Sequence, residues 1–407
     1  MPELAESQLA RGMRDVLPDE MARLRRIEST FGTTCAAWGY GEIRTPVIEP
    51  LHLFTAAGTL SPQTLDRVYS FLDWDGWSGE RVVLRPDSTI AAARLYAERL
   101  ADARVAKLFY CQPVLRFTDN GSSREDWQCG VELVGDTGRA GDIELVLLAT
   151  DALARLGLQD VEVRLSHAGI VRAVLAAARL GPDEQSAAYD RLLDGDMSVV
   201  DDVESRLPQL DAPLRLLFEV EGSGSAYVAN VRAALAAALP GLNPALDELA
   251  FVVEALEARG VAPRIAAVLA RRFEYYSGIV MAFHHGGVRI GAGGRYDELI
   301  RLVGGRGVPA SGFALFIGEL APFVLAPAAV TAVVSVGATD DTPQGIAAAH
   351  DAASALRAAG FTVDTLGDGA AVRVVCRNTA PKFTLEGDAA GSYERIEDVV
   401  AALERAR

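Results

Sequence analysis

FYCQPVLRFTDNGSSREDWQCGVELVG, residues 109–135, consists of two apolar, strand-forming runs joined by a turn-forming stretch from Asp119 to Ser123. Such a pattern predicts a long antiparallel hairpin. Side chains alternate across a strand with period two, so Gln128 and Glu132, four apart, share one face. A buried glutamate beside a glutamine can accept from, or donate to, a neutral or cationic ring such as imidazole. The plainer possibility is a sheet surface with solvated polar residues. Arg116 falls inside an otherwise apolar run, where a guanidinium must find a partner or an anionic ligand.

On the N-terminal side, MARLRRIESTFGTTCAAWGY (21–40) has helical spacing of apolar residues, and GEIRTPVIEP (41–50) reads as a strand. RVVLR (81–85) is a short strand, and Pro86-Asp87-Ser88 opens the helix STIAAARLYAERL (88–100). Asp87 is either an ordinary N-cap or a carboxylate at a strand-to-helix corner that could meet a ligand ammonium group. On the C-terminal side, GDIELVLLATDALARLG (141–157) is a helix and DVEVRLSH (160–167) a strand. Residues 171–258 turn Ala- and Leu-rich with helical period, as an inserted helical domain would. Strands return in RRFEYYSGIVMAFHH (271–285) and VRIGAGGR (288–295), and SGFALFIGELAPFV (311–324) is predicted as the last core helix. In a strand Tyr275 and Tyr276 face opposite sides, while Gly291, Gly293 and Gly294 allow close backbone approach. Residues 329–407 read as a small α/β domain with a helix at PQGIAAAHDAASALRAAG (343–360) and a terminal helix.

The bulk properties narrow the function. A chain of 407 residues with half of them hydrophobic can build a large core, and two or three folding units are expected. The net charge of −16 opposes non-specific attraction to nucleic acid or anionic membrane. Cys35, Cys111, Cys129 and Cys376 have no zinc-type spacing, and adjacent His284 and His285 would not chelate one metal, so no metal or other cofactor is expected. Leu320–Ala338 is uncharged over a near-membrane length, but Pro322 and Pro327 interrupt it. With an N-terminus that lacks the apolar stretch of a signal peptide, the expectation is a soluble cytoplasmic protein.

Taken in order, these pieces resemble the histidyl-tRNA synthetase family of class II synthetases. RTPVIEPLHLF (44–54) is similar to motif 1, whose proline, here Pro46, lies at the dimer interface. LRPDST (84–89) is similar to that family's LRPEGT element, and residues 109–135 to motif 2. RRFEYYSG (271–278) is similar to the histidine-specific element RGLDYYTG, and GAGGRYDELI (291–300) with PASGFA (309–314) to the entry to motif 3. The resemblance implies an α+β fold: an antiparallel sheet flanked by helices over residues 1–328, with the helical insertion at 171–258, followed by the small α/β domain at 329–407. It also implies that Asp87 holds a histidine ammonium group with Thr89 and Gln128 close by. Glu132 with Tyr276 or Tyr275 would face the imidazole, Arg116 would meet the carboxylate, and Arg271 would match the arginine of the histidine-specific element.

Departures from the family pattern fall on the nucleotide side. Where active members end motif 3 as GFAxGxERL, residues 312–320 read GFALFIGEL, with Gly318 and Glu319 before Leu320. No Lys or Arg occurs between Arg306 and Arg357 that could replace the lost arginine. A glutamate beside a triphosphate turns attraction into repulsion. The motif 2 RYER reads Arg116-Phe117-Thr118-Asp119, so Thr118 stands at the ATP-contacting glutamate, and the loop is about two residues short. Residues 331–407 carry a net charge of −4, against the basic face expected of an anticodon reader.

A synthetase-like core that keeps a histidine pocket and loses ATP chemistry is similar to the regulatory subunit of ATP phosphoribosyltransferase. That resemblance implies a non-catalytic homodimer within a hetero-oligomer. Its partner would be a short-form catalytic subunit and its effector histidine, with no role for tRNA or membrane. The alternatives are a divergent histidyl-tRNA synthetase or related amino-acid-activating enzyme, and a scaffold that binds no ligand.

Overall fold

The structure is a computed structural model and describes residues 8–56, 68–74, 79–117, 123–135, 138–193, 195–269, 276–326, 333–366, 370, 372–387 and 390–406. The chain divides into two compact units, Met1–Leu325 and Ala326–Arg407.

The larger unit is built on a nine-stranded sheet. Its strands are β1 (Gly41–Glu42), β5 (Val105–Leu115), β6 (Glu125–Gly135), β7 (Glu162–His167), β8 (Gly222–Ser223), β9 (Arg264–Ile265), β10 (Ile279–His285), β11 (Val288–Arg295) and β12 (Ala310–Phe316). A separate three-stranded sheet holds β2 (Ile48–Pro50), β3 (Ser70–Trp74) and β4 (Gly79–Leu84), in the order β2-β4-β3. The large sheet runs β1-β5-β6-β12-β11-β10-β7-β9-β8. Its core is the antiparallel sheet that the resemblance implies, and the short edge pairings of β1 with β5 and β7 with β9 are parallel.

Period-two alternation gives the two faces of this sheet different jobs. On one face Phe109, Cys129, Val131, Leu133, Met281, Phe283, Phe313 and Leu315 are buried in the main core. The helices Pro18–Ala37, Gly138–Arg155 and Asn243–Glu257 cover that face with Leu24, Ile27, Phe31, Leu145, Leu148, Leu249 and Val252, among others. Phe31 meets the rings of Phe109 and Phe313 edge-on at centroid distances of 6.2 and 6.3 Å, an arrangement suited to the ring quadrupoles. Burying side chains of this size contributes roughly 1.5–3 kcal/mol each. On the other face the central strands carry little side chain: Gly130, Ala314, Ala292 and Ala282 lie side by side across β6, β12, β11 and β10. Glu132, Gly312, Gly294 and Val280 form the neighbouring row. A sheet face lined by glycine and alanine leaves room above it.

Several local expectations are corrected. SGFALFIGELAPFV (311–324) is not a helix through its length: Ala310–Phe316 is the strand between β6 and β11, and only Ile317–Leu320 is α-helical. Its unbroken apolar run suits a strand buried on both sides as well as it suits a helix, so periodicity could not separate the two. GEIRTPVIEP is strand only at its two ends. Helix Ser88–Leu95 widens into a π-helical turn at Tyr96–Leu100. In the C-terminal segment FTVDTL (361–366), whose β-branched residues predict a strand, only Val363–Asp364 pairs.

The helices Ala168–Ala177, Pro182–Leu193, Ser198–Arg206, Asp211–Glu219, Gly224–Leu235 and Asn243–Glu257 form the helical insertion. The smaller unit is a five-stranded sheet ordered β14 (Val363–Asp364), β13 (Val334–Ala338), β15 (Val372–Cys376), β16 (Phe383–Glu386), β17 (Gly391–Tyr393). Helices Pro343–Ala358 and Ile396–Arg405 bury Ala353, Leu356, Val399 and Leu403 against Val334, Val336, Val374 and Leu385.

Candidate functional site

On the small-residue face of the large sheet, three tyrosines and one helix start converge on Glu132. Register places Tyr110 opposite Gly130, and Glu132 lies diagonally across from it. A Cβ on Gly130 would sit 2.2 Å from Cζ of Tyr110, so the absent side chain is what lets this ring lie flat on the sheet. The Tyr110 hydroxyl then donates to Glu132 Oε1 at 2.9 Å, and the Tyr296 hydroxyl donates to Oε2. Gly312 faces Glu132 from β12, where a Cβ would come 2.3 Å from the main-chain oxygen of Val131 and from Glu132 Oε2. Backbone cannot swing aside as a long side chain can. Gly312→Ala is therefore expected to cost about 2 kcal/mol or more, read from the urea midpoint; an unchanged midpoint would show that the strands can part.

Glu132 is buried, and burial pushes its pKa up to about 8, against the hydroxyl donors Tyr296, Thr89 and Tyr110, which favour the charged form. Asp87, itself buried, adds to the rise by like-charge repulsion. Asp87 caps the helix Ser88–Leu95: its Oδ1 accepts from the backbone N–H of Thr89 at 2.7 Å and of Ile90 at 3.3 Å. Tyr276 is buried beside Asp87 and Glu132, which with burial hold its phenol protonated.

Gln128 is buried two residues beyond Gly130 on the same face, opposite Phe316 of β12. Arg116 is corrected: β5 ends at Leu115, so Arg116 lies one residue past the strand, half-buried, with Nε donating to the Pro86 oxygen at 2.8 Å. Its partner is thus the turn that presents Asp87. Gly318 and Glu319 are exposed on the short helix after β12. Thr118, Arg271 and Tyr275 lie outside the described residues, as do Arg272 and Glu274.

Sequence reading missed Tyr110, Tyr296 and Arg289. Arg289 pairs in register with His284 at the end of the face and acts electrostatically on Tyr276. The signal for Tyr110 was present: a hairpin turning near residue 120 sets a tyrosine against a glycine. Nothing comparable marked Tyr296, which reaches Glu132 only through the pairing of β11, β12 and β6. Chemically the site offers two carboxyl groups and three phenols under a low, buried roof. It suits a small ligand with a cationic end and a ring that can accept or donate a hydrogen bond. Among the described residues no group of three His, Cys, Asp or Glu is arranged to hold a metal ion, and no helix is long and apolar enough to cross a membrane.

Comparison with known proteins shows the family. The family model for histidyl-tRNA synthetase matches residues 12–320. An ATP phosphoribosyltransferase regulatory subunit from Dehalococcoides mccartyi is 42% identical over 401 residues, 97% of both chains. The protein of that description from a second strain is 48% identical over 315 residues, 77% of this chain and 76% of its own length. Among solved structures, an ATP phosphoribosyltransferase regulatory subunit/histidyl-tRNA synthetase from Bacillus halodurans C superposes with a TM-score of 0.76 at 26% identity, covering 93% of this chain and all of that one.

Proposed function

The chain belongs to the family of ATP phosphoribosyltransferase regulatory subunits, which here has a histidyl-tRNA-synthetase core, and from that premise we propose that its pocket binds free histidine and reports it to a separate catalytic subunit. Asp87 takes the ammonium group, Gln128 and Thr89 line the same site, and Glu132 with Tyr276 faces the imidazole. With its carboxyl near neutrality, Glu132 can donate a proton to a bare ring nitrogen or accept from a protonated one, so either form of the ligand finds a partner. Arg116, tied to Pro86 beside Asp87, serves the carboxylate end, and Arg271 and Tyr275 complete the set.

The reading rests on one asymmetry: the buried half of the old synthetase site is intact around Glu132, while an exposed Glu319 stands where a triphosphate would need an arginine. On this view the chain neither activates histidine nor charges tRNA, and the acidic C-terminal domain reads no anticodon. Feedback requires histidine to bind two states of the assembly with different affinity. The protein works in the cytoplasm beside a short-form ATP phosphoribosyltransferase, which depends on it for activity.

Titration calorimetry should show histidine binding, pyrophosphate exchange with histidine should stay at background, and co-expression with the short-form transferase should yield a histidine-inhibited complex. Histidine-dependent exchange above background would instead make the chain a synthetase, and absence of heat would make the pocket vestigial.

A second copy is expected to cover the three-stranded sheet. Val47, Ile48, Phe71, Leu72 and Trp74 stand exposed there, Trp74 at 62%, next to the motif-1-like Pro46. Leu72→Asp is expected to turn a dimer into a monomer by light scattering, since an unpaired charge in an apolar contact costs several kcal/mol. An unchanged mass for that variant would place the contact elsewhere.

A further inference from the structure

The pocket tyrosine is held by the helical insertion. Tyr276 precedes β10, and its main-chain oxygen accepts from Arg172 Nη2 at 2.7 Å. Arg172 sits one turn into Ala168–Ala177, the helix that opens the insertion. Two residues on, the Gly278 oxygen accepts from the N–H of Ala168, the first residue of that helix. Segment 276–278 is therefore tied twice to one helix end. The same segment is also bonded to the end of β11 and beyond: Ser277 donates from its backbone to the Arg295 oxygen at 2.7 Å, and its hydroxyl donates to Asp297 Oδ2 at 2.7 Å.

The helix that holds Tyr276 is itself bound to the rest of the insertion. The Arg172 guanidinium lies 5.7 Å from the ring centroid of Tyr189, on Pro182–Leu193. His167 caps the same helix through Nδ1, which accepts from Gly169 N–H at 3.0 Å, while Nε2 contacts Glu248 Oε2 at 2.8 Å on Asn243–Glu257. Since Nδ1 accepts, Nε2 carries the proton and donates to Glu248. Main-chain bonds at Tyr276 and side-chain contacts at Tyr189 and Glu248 thus form one connected path.

We infer that Arg172 is a positioning residue that passes occupation of the pocket to the helical insertion, gripping the backbone of Tyr276 with its guanidinium and the ring of Tyr189 with its face. The inference rests on the reading above that histidine fills this pocket. A ligand that fixes the Tyr276 ring fixes the carbonyl that Arg172 holds. The helix Pro182–Leu193 then loses freedom it has when the pocket is empty, and this difference between states is what coupling requires. An arginine suits the role because its planar fork can hold a carbonyl edge-on and stack on an aromatic ring together, which a lysine cannot.

Hydrogen exchange followed by mass spectrometry on the full chain, at saturating histidine, tests this. In the wild type, histidine should slow exchange in β6 and β12 and also, by about fivefold or more, in Pro182–Leu193. In Arg172→Met the slowing at β6 and β12 should persist, while that in Pro182–Leu193 drops to about twofold or less. Tyr189→Leu, which leaves the carbonyl bond in place, should give the same split and guards against misfolding of the first variant. Slowing in Pro182–Leu193 that survives both substitutions overturns the coupling and leaves the histidine pocket standing. No slowing in the wild-type β6 and β12 overturns the pocket reading itself.

Discussion

At pH 8 a Glu132→Gln variant is expected to melt at a higher temperature than the wild type and to bind histidine about 30- to 100-fold more weakly. The two effects share one cause. Burial raises the Glu132 pKa from 4.5 to about 8 in the folded protein. Below pH 4.5 both folded and unfolded states hold the proton, and the group costs nothing. Between pH 4.5 and 8 the unfolded chain ionises while the native site keeps its proton, so the wild type loses up to roughly 1.4 kcal/mol of stability per pH unit. A glutamine escapes that loss but accepts at one oxygen only, so it forfeits one tyrosine hydroxyl bond, worth about 1 kcal/mol. The advantage of the variant should therefore be a few degrees at pH 8 and should vanish or reverse at pH 5. The affinity loss follows from removing a carboxyl that can ionise against a protonated imidazole, at roughly 2–3 kcal/mol for a hydrogen bond to a charged partner. Differential scanning at the two pH values and calorimetry with histidine check both halves. A melting difference independent of pH, or unchanged affinity, would count against the assigned role. A carboxyl kept at a cost in stability is what a binding site, rather than a scaffold, would retain.

Much of this site could be read from residues 109–135, and the part that could not has a physical reason. Gln128 and Glu132 share a face because strand alternation is a local rule. Their burial was undetermined, because it depends on what the opposite strands carry. That turned out to be Gly312 and Gly294, whose small size lets Tyr296 and Tyr276 close over this part of the sheet. Tyr296 was invisible for the same reason: its hydroxyl meets Glu132 across 164 positions of sequence. Arg116 falls one residue past the strand that the sequence predicts for it, where its Nε donates to the Pro86 oxygen. The strand Ala310–Phe316 reads equally well as helix, because a run apolar at nearly every position carries no period. The order of family-like pieces constrained the fold more strongly than any of these local patterns. Six segments in the expected order leave few topologies open, even when the type of one element is misassigned.

The largest loss of stability is expected from Arg85→Met, at about 3–5 kcal/mol. Arg85 is 1% exposed, and among the described residues no carboxylate is paired with it. Its Nη1 donates to Thr45 O at 3.0 Å, Thr45 Oγ1 at 3.1 Å and Pro46 O at 2.7 Å, and its Nη2 donates to Pro113 O at 2.7 Å. Burial lowers its pKa, opposed by the field of Tyr110, Glu49 and Asp87. The guanidinium is thus solvated by backbone, and it joins three pieces that sequence separates: the motif-1-like loop before β2, the end of β5, and the turn that presents Asp87. Methionine fills the space without the donors and leaves three carbonyls unpaired, each costing roughly 1–3 kcal/mol. Lysine keeps the charge but cannot fork, so Arg85→Lys should fall between. Trp38, Trp74, Trp77 and Trp127 all precede residue 325, so tryptophan fluorescence in urea reports the larger unit alone. A midpoint for Arg85→Met corresponding to less than about 1 kcal/mol would mean that water replaces the guanidinium at this junction. The pocket and the proposed dimer face would then be less tightly joined than their shared arginine implies.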